Sequence, residues 1–196
     1  MTGGSDWLFL GFRALKIWLP DDWFAAGSFE WIASVDGYEP PGWIERWDFN
    51  YSGCRNSEDA AWAAVPEAER AEYQMYAHRL LPVYFRGEER PVLQTLDRLF
   101  DLGIEDTLPA EPELSRYRML GFDVVGRGFH ESLGLGPTLG FGTSPLSTCG
   151  MFKETAVNRY CLIDRLEDAV AFARQCNVEL PEPENYYVVQ VLYRQG

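Results

Sequence analysis

From Pro66 onward the hydrophobic positions acquire a period. Tyr73, Tyr76, Ala77 and Leu80 fall at i, i+3, i+4 and i+7, which predicts a helix that begins at Pro66 and is closed by Pro82 and Gly87. Pro66 suits a first helical position, and Glu67 and Glu69 suit the positive end of the helix dipole. A second helix is predicted from Pro91, carrying Val92, Leu93, Leu96, Leu99 and Phe100, with Gly103 as its stop. Residues 104–116 are rich in acid and proline and read as an exposed connection. Residues 117–126 read as a strand with Leu120, Phe122 and Val124 on one face. Asp164 and Glu167 resemble a capping box, opening a helix whose buried stripe is Leu166, Ala169, Val170 and Ala173. Residues 186–194, β-branched and aromatic on nearly both faces, read as a central strand. No internal repeat and no low-complexity tract is expected.

These elements predict an α+β fold. Its sheet is mainly antiparallel or mixed, with helices packed on one face. Residues 1–196 are expected to form a single domain, with sub-lobes at 1–103, tryptophan-rich and helical, and at 117–196, α+β. All seven tryptophans precede residue 63, among turn signals at Pro20, Asp36 and Glu39. Their size favours core packing, with an exposed aromatic contact surface as the alternative.

Charge narrows the function. Thirty acidic residues against seventeen basic ones give a net charge of −13. No basic stripe is present to displace counterions from phosphates, which argues against nucleic acid. An acidic field suits solubility, or a basic protein partner steered in by it. Cys54, Cys149, Cys161 and Cys176 are scattered with no C-x-x-C, as reduced thiols of a cytoplasmic protein would be. The apolar run from Trp7 to Pro20 is short and broken by Arg13 and Lys16, so neither a membrane span nor a secretory signal is expected.

The stretch from His130 to Phe152 holds five glycines and two prolines, and Glu131 is the only acidic residue in it. It contains no lysine, so it is not a P-loop, and no G-x-G-x-x-G start is completed. With His78 and His130 alone, no multi-histidine metal site is possible, and neither metal nor cofactor is expected. A nucleophile elbow is absent. A Cys149–His130 pair is conceivable, though an incidental thiol explains Cys149 as well. A long loop of this kind is either functional or an ordered Ω-like connection. Thr143, Ser144, Ser147 and Thr148 give it adaptable hydrogen-bonding groups.

The segments "LGFDVVGRGF", "SPLSTCGMF", "VNRYCLIDRLEDAVAFA" and "YYVVQVLYR" resemble an arrangement in small uncharacterised bacterial proteins. The resemblance covers about residues 119–194 and carries no activity. It implies a bacterial cytoplasmic protein, in which Ser144, Pro145, Leu146 and Ser147 form a shared element with Asn158, Arg159 and Tyr160. The first expectation is therefore a binding protein of the immunity type, which neutralises a basic toxin. The second is an enzyme or small-ligand sensor with a pocket beside residues 126–150. The third is a structural subunit whose tryptophan-rich half is an assembly surface. The residues expected to bind are His130, Glu131, Ser144, Ser147, Cys149, Asn158, Arg159 and Tyr160.

Overall fold

Four strands with few charges on either face make the frame. The computed structural model describes residues 7–17, 30, 33, 54–81, 109–127, 129–130, 138–139, 157–179 and 185–195. They hold strands β1 (Leu8–Lys16), β2 (Tyr73–Leu80), β3 (Tyr117–Arg127), β4 (Phe129–His130), β5 (Thr138–Leu139) and β6 (Asn185–Arg194). They also hold helices α1 (Glu58–Ala63) and α2 (Leu166–Glu179), and a 3-10 turn over Glu67–Glu72. One antiparallel sheet runs β1-β2-β6-β3, and β4 and β5 form a separate two-residue ribbon. The α+β expectation holds. The sheet takes strands from both sides of the 104–116 connection, because β2 pairs directly with β6.

Residues 73–80 correct the helix reading. They form a strand paired along its two edges with β1 and β6, and side chains on both of its faces are buried. Tyr73, Met75 and Ala77 lie on one face, and Tyr76, His78 and Leu80 on the other. Apolar residues from two faces happened to fall at a helical spacing. Only the opening turns, Glu67–Glu72, are helical, and Pro66 sits just before them. The helix predicted from Pro91 lies outside the described residues.

The two halves of the sheet repeat one another. Adding 110 to a β1 residue and 113 to its β2 partner converts each of the eight β1–β2 pairs into a β3–β6 pair. Gly11↔His78 becomes Gly121↔Val191, and Leu8↔Leu80 becomes Arg118↔Tyr193. The bulge between Phe9 and Gly11 recurs between Met119 and Gly121. Outside each edge strand lies one further bridge, Phe12↔Arg55 and Phe122↔Ile163, and Arg55 and Ile163 each stand three residues before a helix, α1 and α2 respectively. The β2–β6 ladder maps onto itself, Tyr76↔Tyr193 exchanging with Leu80↔Val189, so a pseudo-twofold axis passes through the His78↔Val191 pair. The sequence trace of the repeat is short: Leu10-Gly11-Phe12 and Leu120-Gly121-Phe122.

Glycine is required at both bulges. Gly11 has φ +122° and Gly121 φ +153°, where side chains are strained. A Cβ on Gly121 would stand 2.8 Å from Leu162 Cβ and 2.9 Å from the Ile163 carbonyl oxygen, and one on Gly11 would meet the Arg55 carbonyl.

Both helices cover the same face. α1 packs with Phe12, Ala14, Met75, Ala77 and Leu192, and α2 with Phe122, Val124, Tyr186 and Val188. Buried Asn177 ties α2 to β6. Its Nδ2 donates to the Ala173 and Tyr186 carbonyls, at 2.8 and 2.9 Å, and its Oδ1 accepts from Tyr186 N–H at 3.0 Å. On α2, Ala169, Phe172, Ala173 and Cys176 are buried, close to the predicted stripe. The helix starts beyond the proposed cap, because the Asp164 carboxylate accepts from Asn158 Nδ2 at 2.7 Å. Trp7 stacks on Phe122, and Trp62, within α1, packs against the cluster of Phe9, Phe12 and Met75, which is core packing; the other five tryptophans lie outside the described residues.

Candidate functional site

The segment after the glycine-rich stretch is built by one side chain. Asn158 Oδ1 accepts from the Tyr160 and Leu162 N–H groups, at 2.9 and 3.3 Å. Its Nδ2 donates to the Leu120 carbonyl at 2.8 Å as well as to Asp164. These bonds draw residues 158–164 into a turn, with Cys161 at φ 58°. The turn then runs beside β3 through the reciprocal Phe122–Ile163 bonds, both 2.8 Å. Alternate side chains go to opposite faces: Cys161 and Ile163 join the α2 cluster, and Tyr160 and Leu162 join the opposite one. Asn158 is thus the residue that positions this segment, and its amide is committed within the chain.

That geometry sets up a stack of cations and rings on the face opposite the helices. The Arg159 guanidinium lies 4.9 Å from the centre of the Tyr160 ring, and Arg118 lies 5.8 Å from the same ring. Arg118 also lies 5.5 Å from the Tyr193 ring, and its Nη2 donates to Tyr160 Oη at 3.0 Å. Tyr193 leads to buried Tyr76 at 6.0 Å, and Tyr76 to His78 at 6.3 Å, on the pseudo-twofold axis. The row thus runs Arg159, Tyr160, Arg118, Tyr193, Tyr76, His78, from solvent to the centre of the sheet. Arg159 donates to Glu30 at 2.7 Å, both half exposed, so that ion pair is worth at most about 1 kcal/mol. Arg118 is exposed and has no carboxylate partner among the described residues.

A second group lies on the same face. Arg13, His78 and Asp123 are all buried, and Arg13 and Asp123 hold equivalent positions in the two halves. Asp123 Oδ1 accepts from Val124 N–H at 2.8 Å. Burying ionisable groups is costly unless they are matched, so such a row is either a structural network or a site.

Of the residues expected to bind, Asn158, Arg159 and Tyr160 come together here. His130 pairs through its backbone with Thr138, and its side chain lies outside the described residues. Glu131, Ser144, Ser147 and Cys149 also lie outside them. Sequence reading missed Arg118 and Tyr193, whose role depends on the Arg118↔Tyr193 register and on nothing visible along the chain. It also missed Arg13, His78 and Asp123. Their signal was present, as ionisable residues at inward positions of otherwise apolar strands.

Cys54, Cys161 and Cys176 are buried and take part in no disulfide. Burial pushes the Cys176 thiol up to about 12. Among the described residues, no group of three or more His, Cys, Asp or Glu side chains is placed to hold a metal ion, and no helix is long and apolar enough to cross a membrane. The chain matches no protein-family model, no curated protein and no solved structure.

Proposed function

We propose that this chain is an acidic protein-binding domain, of the immunity type that inhibits a basic toxin in a bacterial cytoplasm. Its contact surface is centred on the Arg118–Tyr160 stack. The observation that carries the reading is the exposed Arg118 guanidinium, 5.8 and 5.5 Å from two phenol ring centres and hydrogen-bonded to one of their hydroxyls, on a chain of net charge −13. Arginine and tyrosine dominate the energetics of protein interfaces, because they present a large, stiff, partly apolar surface with donors at its edge. Stacking on rings fixes the guanidinium before a partner arrives, which reduces the entropy lost on binding. The acidic field outside the stack favours a basic partner and speeds its approach. Affinity capture from the native host at moderate salt tests this. A stoichiometric basic protein, released by high salt, is expected; a clean monomer with no partner refutes it.

The buried row Arg13, His78 and Asp123 supports a second reading, an enzyme or small-ligand sensor. On that reading, Asp123→Asn abolishes a ligand-induced rise in melting temperature, while Arg118→Gln leaves it unchanged.

A further inference from the structure

The two halves of the sheet are equivalent in register, so positions where they differ in chemistry mark what the fold itself does not require. Arg118 and Tyr193 correspond to Leu8 and Leu80. The same backbone geometry is therefore satisfied by an apolar pair in one half and by a stacked cation in the other. Among the described residues the carboxylate paired within the stack is Glu30, and it is bound by Arg159. Arg118 donates to a phenol oxygen and retains its other N–H donors.

From this we infer that Arg118 is an anchor for a carboxylate, an Asp or Glu side chain that a basic partner presents among cationic neighbours. This rests on the protein-binding reading and names the chemistry the partner must carry. A guanidinium recognises a carboxylate through a planar two-bond fork, which a lysine ammonium does not reproduce. The cationic neighbours follow from the surroundings: Glu30 and Asp164 are exposed beside the stack, and the chain as a whole is strongly acidic. Long-range attraction thus selects a basic protein, and the local anchor selects which part of it docks.

The test uses the full chain with labelled arginine side chains and two peptides, acetyl-Lys-Lys-Glu-Lys-Lys-amide and its Gln counterpart. The Gln peptide carries one more positive charge, so charge alone makes it the tighter ligand. The anchor predicts the opposite: a saturable shift of the Arg118 Nε–H signal, and about two- to fivefold tighter binding of the Glu peptide. Arg118→Gln and Arg118→Lys both abolish that preference. A Gln peptide that binds as tightly or more tightly, or no saturable shift with the Glu peptide, overturns the inference. A partner captured equally by wild type and Arg118→Gln overturns the anchor and leaves the protein-binding reading standing. Failure of capture with the peptide preference intact removes the protein partner and leaves the carboxylate site.

Discussion

Replacing Gly121 by alanine perturbs one point on which both the repeat and the Arg–Tyr stack depend. The residue sits at φ +153°, and the added Cβ would stand 2.8 Å from Leu162 Cβ, 2.9 Å from the Ile163 carbonyl oxygen and 3.1 Å from Asn158 Nδ2. Two of these neighbours are held firmly, one by the ladder to Phe122 and one by the bonds that form the 158–164 turn. Backbone strain at a non-glycine residue is about 1–3 kcal/mol. Overpacking against atoms that cannot yield adds about 1–3 kcal/mol. For a chain of this size each kilocalorie lowers the melting temperature by about 2–4 °C, so a central loss of about 4 kcal/mol becomes about 8–16 °C. Thermal unfolding followed by circular dichroism reads this directly, and hydrogen exchange at Tyr160 and Leu162 should rise with it. Gly11→Ala should show a loss of the same order, because its Cβ would meet the Arg55 carbonyl and stand 3.0 Å from Cys54 Cβ. A Gly121→Ala protein melting within about 1 °C of wild type would refute the reasoning. A large loss at Gly121 with none at Gly11 would refute the equivalence of the two halves.

Asn177→Ala leaves the Tyr186 N–H and carbonyl without their side-chain partners, and a loss of about 2–3 kcal/mol is expected in urea unfolding. Cys176 keeps its proton in the folded chain to about 12, above its ordinary value of 9.0, so an unfolded chain releases a proton that the folded one retains. Its contribution to stability is full below the ordinary value and lost as pH rises toward the folded one, and Tyr117, also raised by burial, acts in the same direction. Urea midpoints should therefore fall from about pH 9 upward, less steeply in Cys176→Ala. For the same reason Cys176 should resist alkylation in the native state and react on unfolding. Arg159→Gln should leave the melting temperature within about 1 °C, since the Glu30 pair is solvent-exposed. A larger loss would mean that Arg159 supports the turn as well as the surface.

How much of this was legible in the chain depends on the residue. β6 and α2 were readable, one from its β-branched and aromatic run and the other from its helical stripe; β3 was readable as a strand, but of its predicted face only Phe122 and Val124 stay together, because the bulge at Gly121 turns Leu120 to the opposite side. Residues 73–80 were not, because a strand buried on both faces loses its alternation, and Tyr73, Tyr76, Ala77 and Leu80 then mimic a helix. The repeat escaped notice because its shared residues are few. The Leu-Gly-Phe trace marks the bulge glycines, but the equivalence lies in hydrogen-bond register, which tolerates Arg13 in one half and Asp123 in the other. Arg159 and Tyr160 could be singled out by type and position. The role of Asn158 as the organiser of the turn, and the stacking of Arg118 on Tyr193, come from long-range contacts that no local pattern encodes.

The most direct test of the central claim is affinity capture from the native host with wild type beside the Arg118→Gln, Arg159→Gln double variant. The account predicts a stoichiometric basic protein on the wild type and its loss from the double variant, with both chains folded and melting alike. A partner retained undiminished by the double variant, or a wild-type chain that captures nothing, would contradict it.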